Sequence, residues 1–125
     1  MAKILVVDDS ALARRTLRKI LEANEHAIKE AEDGDSALEQ YFLDKPDLVL
    51  LDLVMKGMYG IDVLNKLREM DPEARVVVAS ADIQSSTHVM VKDAGACGFI
   101  TKPFIPDQVK EAVDAALERE TYGIN

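Results

Sequence analysis

Hydrophobic residues in this chain gather into four short runs without alternation, ILVV, LVLL, VVVA and FI, and each run stops on polar side chains. The stops are Asp8-Asp9, Asp52, Ser80 and Thr101-Lys102. Unbroken aliphatic and β-branched runs predict strands covered on both faces, as in parallel sheets, where all carboxyl ends lie along one edge. Three carboxylates, a hydroxyl and an ammonium would then meet at one rim.

Between the runs the apolar spacing turns helical. Residues 3–8 predict a first strand, and Ser10 is placed to cap a helix with Ala13, Leu17, Ile20 and Leu21 on one face. Residues 26–31 predict a more polar edge strand, and Asp33-Gly34-Asp35 a turn into a helix carrying Leu38, Tyr41 and Phe42. Pro46 closes that unit, and residues 47–51 predict the third strand. The loop DLVMKGMYG follows, with Met55 and Met58 expected to pin it to the core, and Ile61, Leu64 and Leu67 mark the third helix. After Asp71-Pro72 a fourth strand is predicted over 75–79, then a helix over 83–94 whose poor apolar stripe predicts mobility. Residues 97–100 predict a short fifth strand. The last helix shows Val109, Ala112, Val113, Ala116 and Leu117 at helical spacing, with Pro106 in its first turn, and YGIN reads as a frayed end.

Five strand-then-helix units with short connections predict an α/β fold, a parallel sheet between two helical layers joined by right-handed crossovers. No Gly/Ser linker or low-complexity tract divides residues 1–125, so one domain is expected. A chain of this length buries about two-thirds of its unfolded surface and sustains a core without staples.

Charge narrows the function classes. A formal net charge of −8 opposes a phosphate backbone, so no direct nucleic-acid contact is expected. No apolar stretch approaches the ~20 residues that span a bilayer, MAKILVVDD lacks the features of a signal peptide, and the single Cys97 excludes an internal disulfide. A cytosolic protein without membrane contact is the expectation. Cys97 reads as a small buried filler, and His26 and His88 as surface side chains.

The rim poses an electrostatic problem. If the first and third strands are neighbours, Asp8, Asp9 and Asp52 crowd together, and two carboxylates ~5 Å apart repel by ~3 kcal/mol at an effective dielectric near 20. Protonation of one carboxyl would offset that, and so would a hard divalent cation such as Mg²⁺, which takes carboxylates, waters and phosphate oxygens together. The cation fits an anionic ligand better. Lys102 then supplies positive charge and Ser80 a donor, both suited to a phosphoryl group, and Asp52, alone at its strand end, is the natural acceptor.

VVDDS, LLDLVMKGMYG, VVVASA and FITKPF, in this order and spacing, resemble the receiver domain of two-component response regulators, of the chemotaxis-regulator kind. The resemblance spans the whole chain. It implies a flavodoxin-like three-layer sandwich with five helices and the strand order 2-1-3-4-5. It implies phosphorylation of Asp52 by a phosphohistidine of a sensor histidine kinase, by a phosphotransfer protein, or by a small phosphodonor. Mg²⁺ would be held by Asp9 and Asp52 with the backbone carbonyl of Val54, and by Asp8 largely through water. Ser80 and Lys102 would hold phosphoryl oxygens, Ser80 and Phe99 would form the switch, and the Lys102-Pro103 bond would be cis. Output would run through the fourth helix, fifth strand and final helix, to a target protein or to a second copy. The chain departs from the family pattern at Lys56, where many members have Pro, at Tyr59, where an acid is frequent, and at Phe99, which lacks a hydroxyl. Val54 and Asp82 occupy positions at which such domains tune phosphate lifetime.

Other readings compete. Taken singly, Asp9, Ser10 and Ser80 read as helix caps, Lys102 as a solvated lysine and Phe99 as a core aromatic. A haloacid-dehalogenase-like phosphohydrolase would need an acid two residues after its nucleophile, where Asp52 is followed by Val54, Asp9 by Ala11 and Asp8 by Ser10. A receiver-like domain that never takes phosphate would have lost an acid or the lysine, and all are present. The last helix lacks an arginine-rich face, which favours a stand-alone regulator over a piece of a longer one.

Overall fold

A computed structural model of the chain describes residues 1–55, 57–81 and 84–118. The expectations placed on Lys56, Asp82 and YGIN lie outside the described residues. Strands and helices alternate as β1 (Lys3–Val7), α1 (Ala11–Ala23), β2 (Ala27–Ala31), α2 (Gly34–Asp44), β3 (Leu48–Leu51), α3 (Gly60–Met70), β4 (Val76–Ser80), α4 (Ser85–Asp93), β5 (Gly98–Thr101) and α5 (Pro106–Glu118). All strand pairs are parallel, in the order β2-β1-β3-β4-β5. This is the flavodoxin-like arrangement, with five helices on the two faces.

The two-residue period of each strand sorts its side chains into two cores. Leu5, Val7, Val49, Leu51, Val76 and Val78 join one cluster with Tyr41, Val63, Leu64 and Leu67 from α2 and α3. Their alternates Ile4, Val6, Leu48, Leu50, Val77 and Ala79 join another with Leu17 and Leu21 of α1 and Val109 and Val113 of α5. That is why the runs in the sequence do not alternate.

Caps set the helix starts. The Ser10 side chain accepts from the Ala13 N–H at 3.2 Å, and the Asp33 carboxylate from the Ser36 N–H at 2.8 Å, each satisfying a donor that the first turn leaves open. At the start of α3, a Cβ on Gly60 would overlap the carbonyl of Asp52 and the Cα of Leu53. Glycine there lets the helix abut the acidic loop, and the Gly60 N–H bonds the Leu53 carbonyl at 2.9 Å. Met55 is buried and Met58 packs against the first core, so both hold the loop down.

Several expectations are corrected. Phe42 is 71 % exposed, because α2 meets the core through Gly34, Ala37 and Tyr41, spaced by three and four, and Phe42 falls one residue past that stripe. His26 is half-buried, its Nδ1 accepting from the Ala2 N–H at 3.1 Å. Cys97, just before β5, and Phe99, on β5, are half-buried rather than enclosed, each packed against the edge of one core. His88 is exposed, as expected of a surface side chain, and stacks on Phe99 with ring centroids 4.0 Å apart. α4 begins at Ser85, and its only buried side chains are Thr87 and Val91. Among the described residues no helix is long and apolar enough to cross a membrane.

Candidate functional site

Register brings the polar stops together. Val7 pairs with Leu51 across β1 and β3, so Asp8 and Asp52 leave adjacent strand ends side by side, and the Asp52 N–H bonds the Val7 carbonyl at 2.9 Å. One carboxylate oxygen from each of Asp8, Asp9 and Asp52 lies within 4.8 Å of the others. Asp8 and Asp52 are buried, and Asp9 is exposed. Three oxygen donors with one side open to water make a set that fits a hard divalent cation.

Ser80 ends β4 buried, opposite Thr101 of β5. Its carbonyl accepts the Lys102 N–H at 3.0 Å, which fixes where that lysine leaves the sheet. The Lys102-Pro103 peptide bond is cis. The Lys102 ammonium lies 2.8 Å from the Asp8 carboxylate and 3.6 Å from that of Asp52, and 6.0 Å from the Phe104 ring centroid. Val54 follows Asp52 by two residues with its side chain 71 % exposed, and Phe99 lies three residues before Lys102 on β5.

The charges explain the titration behaviour. Burial pushes the Asp52 carboxyl above its ordinary range, and the negative charge of Asp8 adds to that; Lys102 and backbone N–H bonds from Val54 and Leu53 pull the other way and lose. For Lys102, burial works against the charged form, but the Asp8 hydrogen bond and the charges of Asp52 and Asp8 outweigh it and raise its value. One ammonium therefore serves two buried carboxylates and does not offset the burial of Asp52. A further cation would relieve the site.

Four contacts escaped sequence reasoning. The Asp8 carboxylate accepts the Ser10 N–H at 2.9 Å, and its backbone carbonyl accepts from Arg14 Nη1 at 2.6 Å. Arg14 in turn pairs with Glu30 at 2.9 Å, so β2 helps hold the acidic loop in place. An arginine three to four residues into a helix that follows an acidic pair was the available signal. The His88–Phe99 stack had none, because its partners sit on different elements.

Comparison with known proteins agrees with this geometry. The response regulator receiver domain model matches residues 4–114. The chain is 40 % identical over 116 residues to the chemotaxis protein CheY of Bacillus subtilis, covering 92 % of this chain and 97 % of that protein. It is 42 % identical over 117 residues to the transcriptional regulatory protein ResD of the same organism, covering 94 % of this chain but 48 % of ResD. The crystal structure of NtrX from Brucella abortus superposes with a TM-score of 0.92 at 35 % identity, over 98 % of this chain and 28 % of that one. A family match along nearly all of the chain, on a sheet whose acidic rim has the form just described, means that the chain belongs to the response regulator receiver domain family of two-component signalling systems.

Proposed function

We propose that the chain is a phosphoacceptor switch in which Asp52 takes a phosphoryl group in a Mg²⁺-dependent reaction. The observation that carries this reading is the juxtaposition of three carboxylate oxygens within 4.8 Å beside a single shared ammonium. Asp8, Asp9, Asp52 and the backbone carbonyl of Val54 are the groups that would hold the ion. When bound, Mg²⁺ offsets the negative charge of the carboxylates and of the incoming phosphoryl oxygens.

The chain's own residues do the rest. A carboxylate oxygen of Asp52 forms a bond to phosphorus as the P–N bond of a phosphohistidine breaks, its electron pair remaining on the imidazole nitrogen. With a small acyl phosphate donor the leaving group is the carboxylate. Lys102 exchanges its contact with Asp8 for a phosphoryl oxygen, and the Ser80 hydroxyl donates to another. The donor is a sensor histidine kinase or a phosphotransfer protein. Transfer of Ser80 toward the phosphoryl group and inward rotation of Phe99 constitute the switch, which alters a surface of α4, β5 and α5 toward a target protein or a second copy. The residues 1–125 act as one receiver domain, in the cytoplasm, without direct nucleic-acid or membrane contact.

Incubation with acetyl phosphate and Mg²⁺, followed by intact-mass analysis, tests the assignment. A single phosphoryl adduct is expected that disappears in Asp52→Asn and in EDTA. An adduct that persists on Asp52→Asn places the acceptor elsewhere.

A further inference from the structure

We propose that Arg14, held by Glu30, is a positioning residue for the acidic rim: it fixes the Asp8–Asp9 peptide and so aims the Asp9 carboxylate at the cation. This role rests on the reading of that rim as a Mg²⁺ site. Two of the three carboxylates gathered there are buried and engaged, Asp8 by the Ser10 N–H and the Lys102 ammonium, and Asp52 by the same ammonium and by the Val54 and Leu53 N–H groups. Asp9 is exposed, and among the described residues its carboxylate has no hydrogen bond or ion pair. An Asp9 oxygen nevertheless stands within 4.8 Å of the other two. Its placement is set by the backbone that carries it.

A peptide unit is planar, so the direction of the Asp8 carbonyl fixes the nitrogen and Cα of Asp9. Both ends of Asp8 are tied. Its N–H donates to the Ala31 carbonyl of β2 at 3.1 Å, and its carbonyl accepts from Arg14 Nη1 at 2.6 Å. The Arg14 side chain, 14 % exposed, also donates from Nε to one Glu30 oxygen at 2.9 Å. The other Glu30 oxygen accepts from Arg18 Nε at 2.6 Å, and the Glu30 carbonyl from Gln40 Nε2 at 2.9 Å, so Glu30 is anchored from both α1 and α2. A guanidinium is a rigid plane, and a Glu30 that fixes Nε also fixes where Nη1 points. Lysine presents its donors from a single nitrogen and does not reproduce that fork.

Position and charge act with opposite signs here. A guanidinium beside the rim repels a divalent cation, so as a charge alone Arg14 opposes Mg²⁺ uptake, and its removal would tighten binding. As a group that orients the metal's ligands it favours uptake, and loss of such groups weakens metal binding about 10–100-fold. Arg15 supplies the comparison. It is exposed, carries the same charge one residue away, and among the described residues has no ion pair or side-chain hydrogen bond. Glu30 supplies a second, because it stands outside the group of rim carboxylates and meets Asp8 only through Arg14.

Calorimetric titration of the metal-free chain with MgCl₂, with ¹⁵N NMR of the same samples, is the test. Arg14→Gln and Arg14→Lys should each weaken Mg²⁺ binding about tenfold and shift the Asp9 and Ser10 amides before metal is added, while Arg15→Gln should not weaken it. Glu30→Gln, on a partly exposed side chain that tolerates the change even if Arg14→Gln does not fold, should weaken binding too. In an Arg14→Gln background it should add nothing, whereas an effect of its charge alone would persist there. Saturating Mg²⁺ should return adduct formation from acetyl phosphate to near the parent rate, because Asp52 and Lys102 are untouched. Tighter Mg²⁺ binding in Arg14→Gln, equal weakening in Arg15→Gln, a lowered melting temperature with unchanged affinity, or a rate loss that saturating Mg²⁺ does not restore would each overturn the proposal. The underlying reading fails in a different way. A parent chain that takes up no Mg²⁺ and forms no adduct removes the metal site and the positioning role with it, whereas parent and variants that bind Mg²⁺ equally and form the adduct remove the role of Arg14 alone.

Discussion

The β1–β3 pair and the α4–β5 margin lie in one system of sheet and helix layers and are packed in opposite ways. Every residue from Ile4 to Val7 and from Leu48 to Leu51 is at most 1 % exposed, with sheet neighbours on both sides. In β5 only Ile100 is buried, and α4 buries two side chains while leaving Val89 and Met90 in solvent. A close-packed interior transmits strain and resists rearrangement, whereas a thinly packed element opens at lower free energy. The crowded carboxylates thus stand on the part that cannot yield, and Phe99, the aromatic proposed as the switch, on the part that can. On the proposed function, charge introduced at Asp52 would be relieved by movement of the margin, with Lys102, just past β5, as the tether between the two.

A pair of matched truncations would break this comparison most directly. Val7 and Val91 are both buried, at 1 % and 2 % exposure. Val7→Ala should cost about 2–3 kcal/mol in urea denaturation, because its neighbours are held by sheet hydrogen bonds and the void cannot collapse. Val91→Ala should cost about 1 kcal/mol, since α4 borders an existing cavity and can settle into the space. Equal losses would show that the margin is as rigid as the frame.

Removal of the tether should have the next largest effect. Lys102→Met keeps much of the side-chain volume and deletes the ammonium shared by Asp8 and Asp52. Loss of one partner from a buried pair costs ~3–5 kcal/mol; with the Lys102 side chain 25 % exposed, screening reduces the expectation to about 2 kcal/mol. Millimolar Mg²⁺ should restore most of that loss in thermal denaturation and should stabilise the variant more than the parent. A deficit indifferent to Mg²⁺ would mean that the lysine acts by packing and that the carboxylates hold no ion.

How much of this was legible in the sequence depends on how far apart the interacting residues lie. All five strands fall within one residue of their predicted positions, because an unbroken run bounded by Pro, Gly or Asp carries its own limits. The convergence of Asp8, Asp9 and Asp52 was legible too, since carboxyl ends of parallel strands share an edge whatever their order. The order itself came from resemblance, as run composition alone marks β2 as an edge but does not rank the others. Phe42 was misplaced because a helical stripe read over three residues is uncertain by one position, enough to turn a side chain into solvent. The preference of Lys102 for Asp8 over Asp52, and the stacking of His88 on Phe99, depend on ångström-scale placement between elements, which spacing does not encode.

The smallest expected effect is also the one with a reversed sign. Burial first, and Asp8 second, raise the Asp52 carboxyl in the folded state, so the native chain holds that proton more tightly than the unfolded chain does. Well below the ordinary Asp value near ~3.9 both states are protonated and Asp52→Asn should match the parent in stability. As pH climbs through that value the unfolded chain releases its proton first, and the parent loses stability until the native carboxyl has also ionised. Above that point the penalty is constant. At neutral pH without Mg²⁺, Asp52→Asn should therefore be more stable than the parent, with the difference vanishing in acid. Added Mg²⁺ should narrow or invert the gap, because the parent gains a ligand that the variant has lost. A variant less stable at neutral pH would show that Lys102 and the Val54 and Leu53 N–H bonds overrule burial and Asp8, and the frame would then hold its charges at rest, with nothing for the margin to relieve.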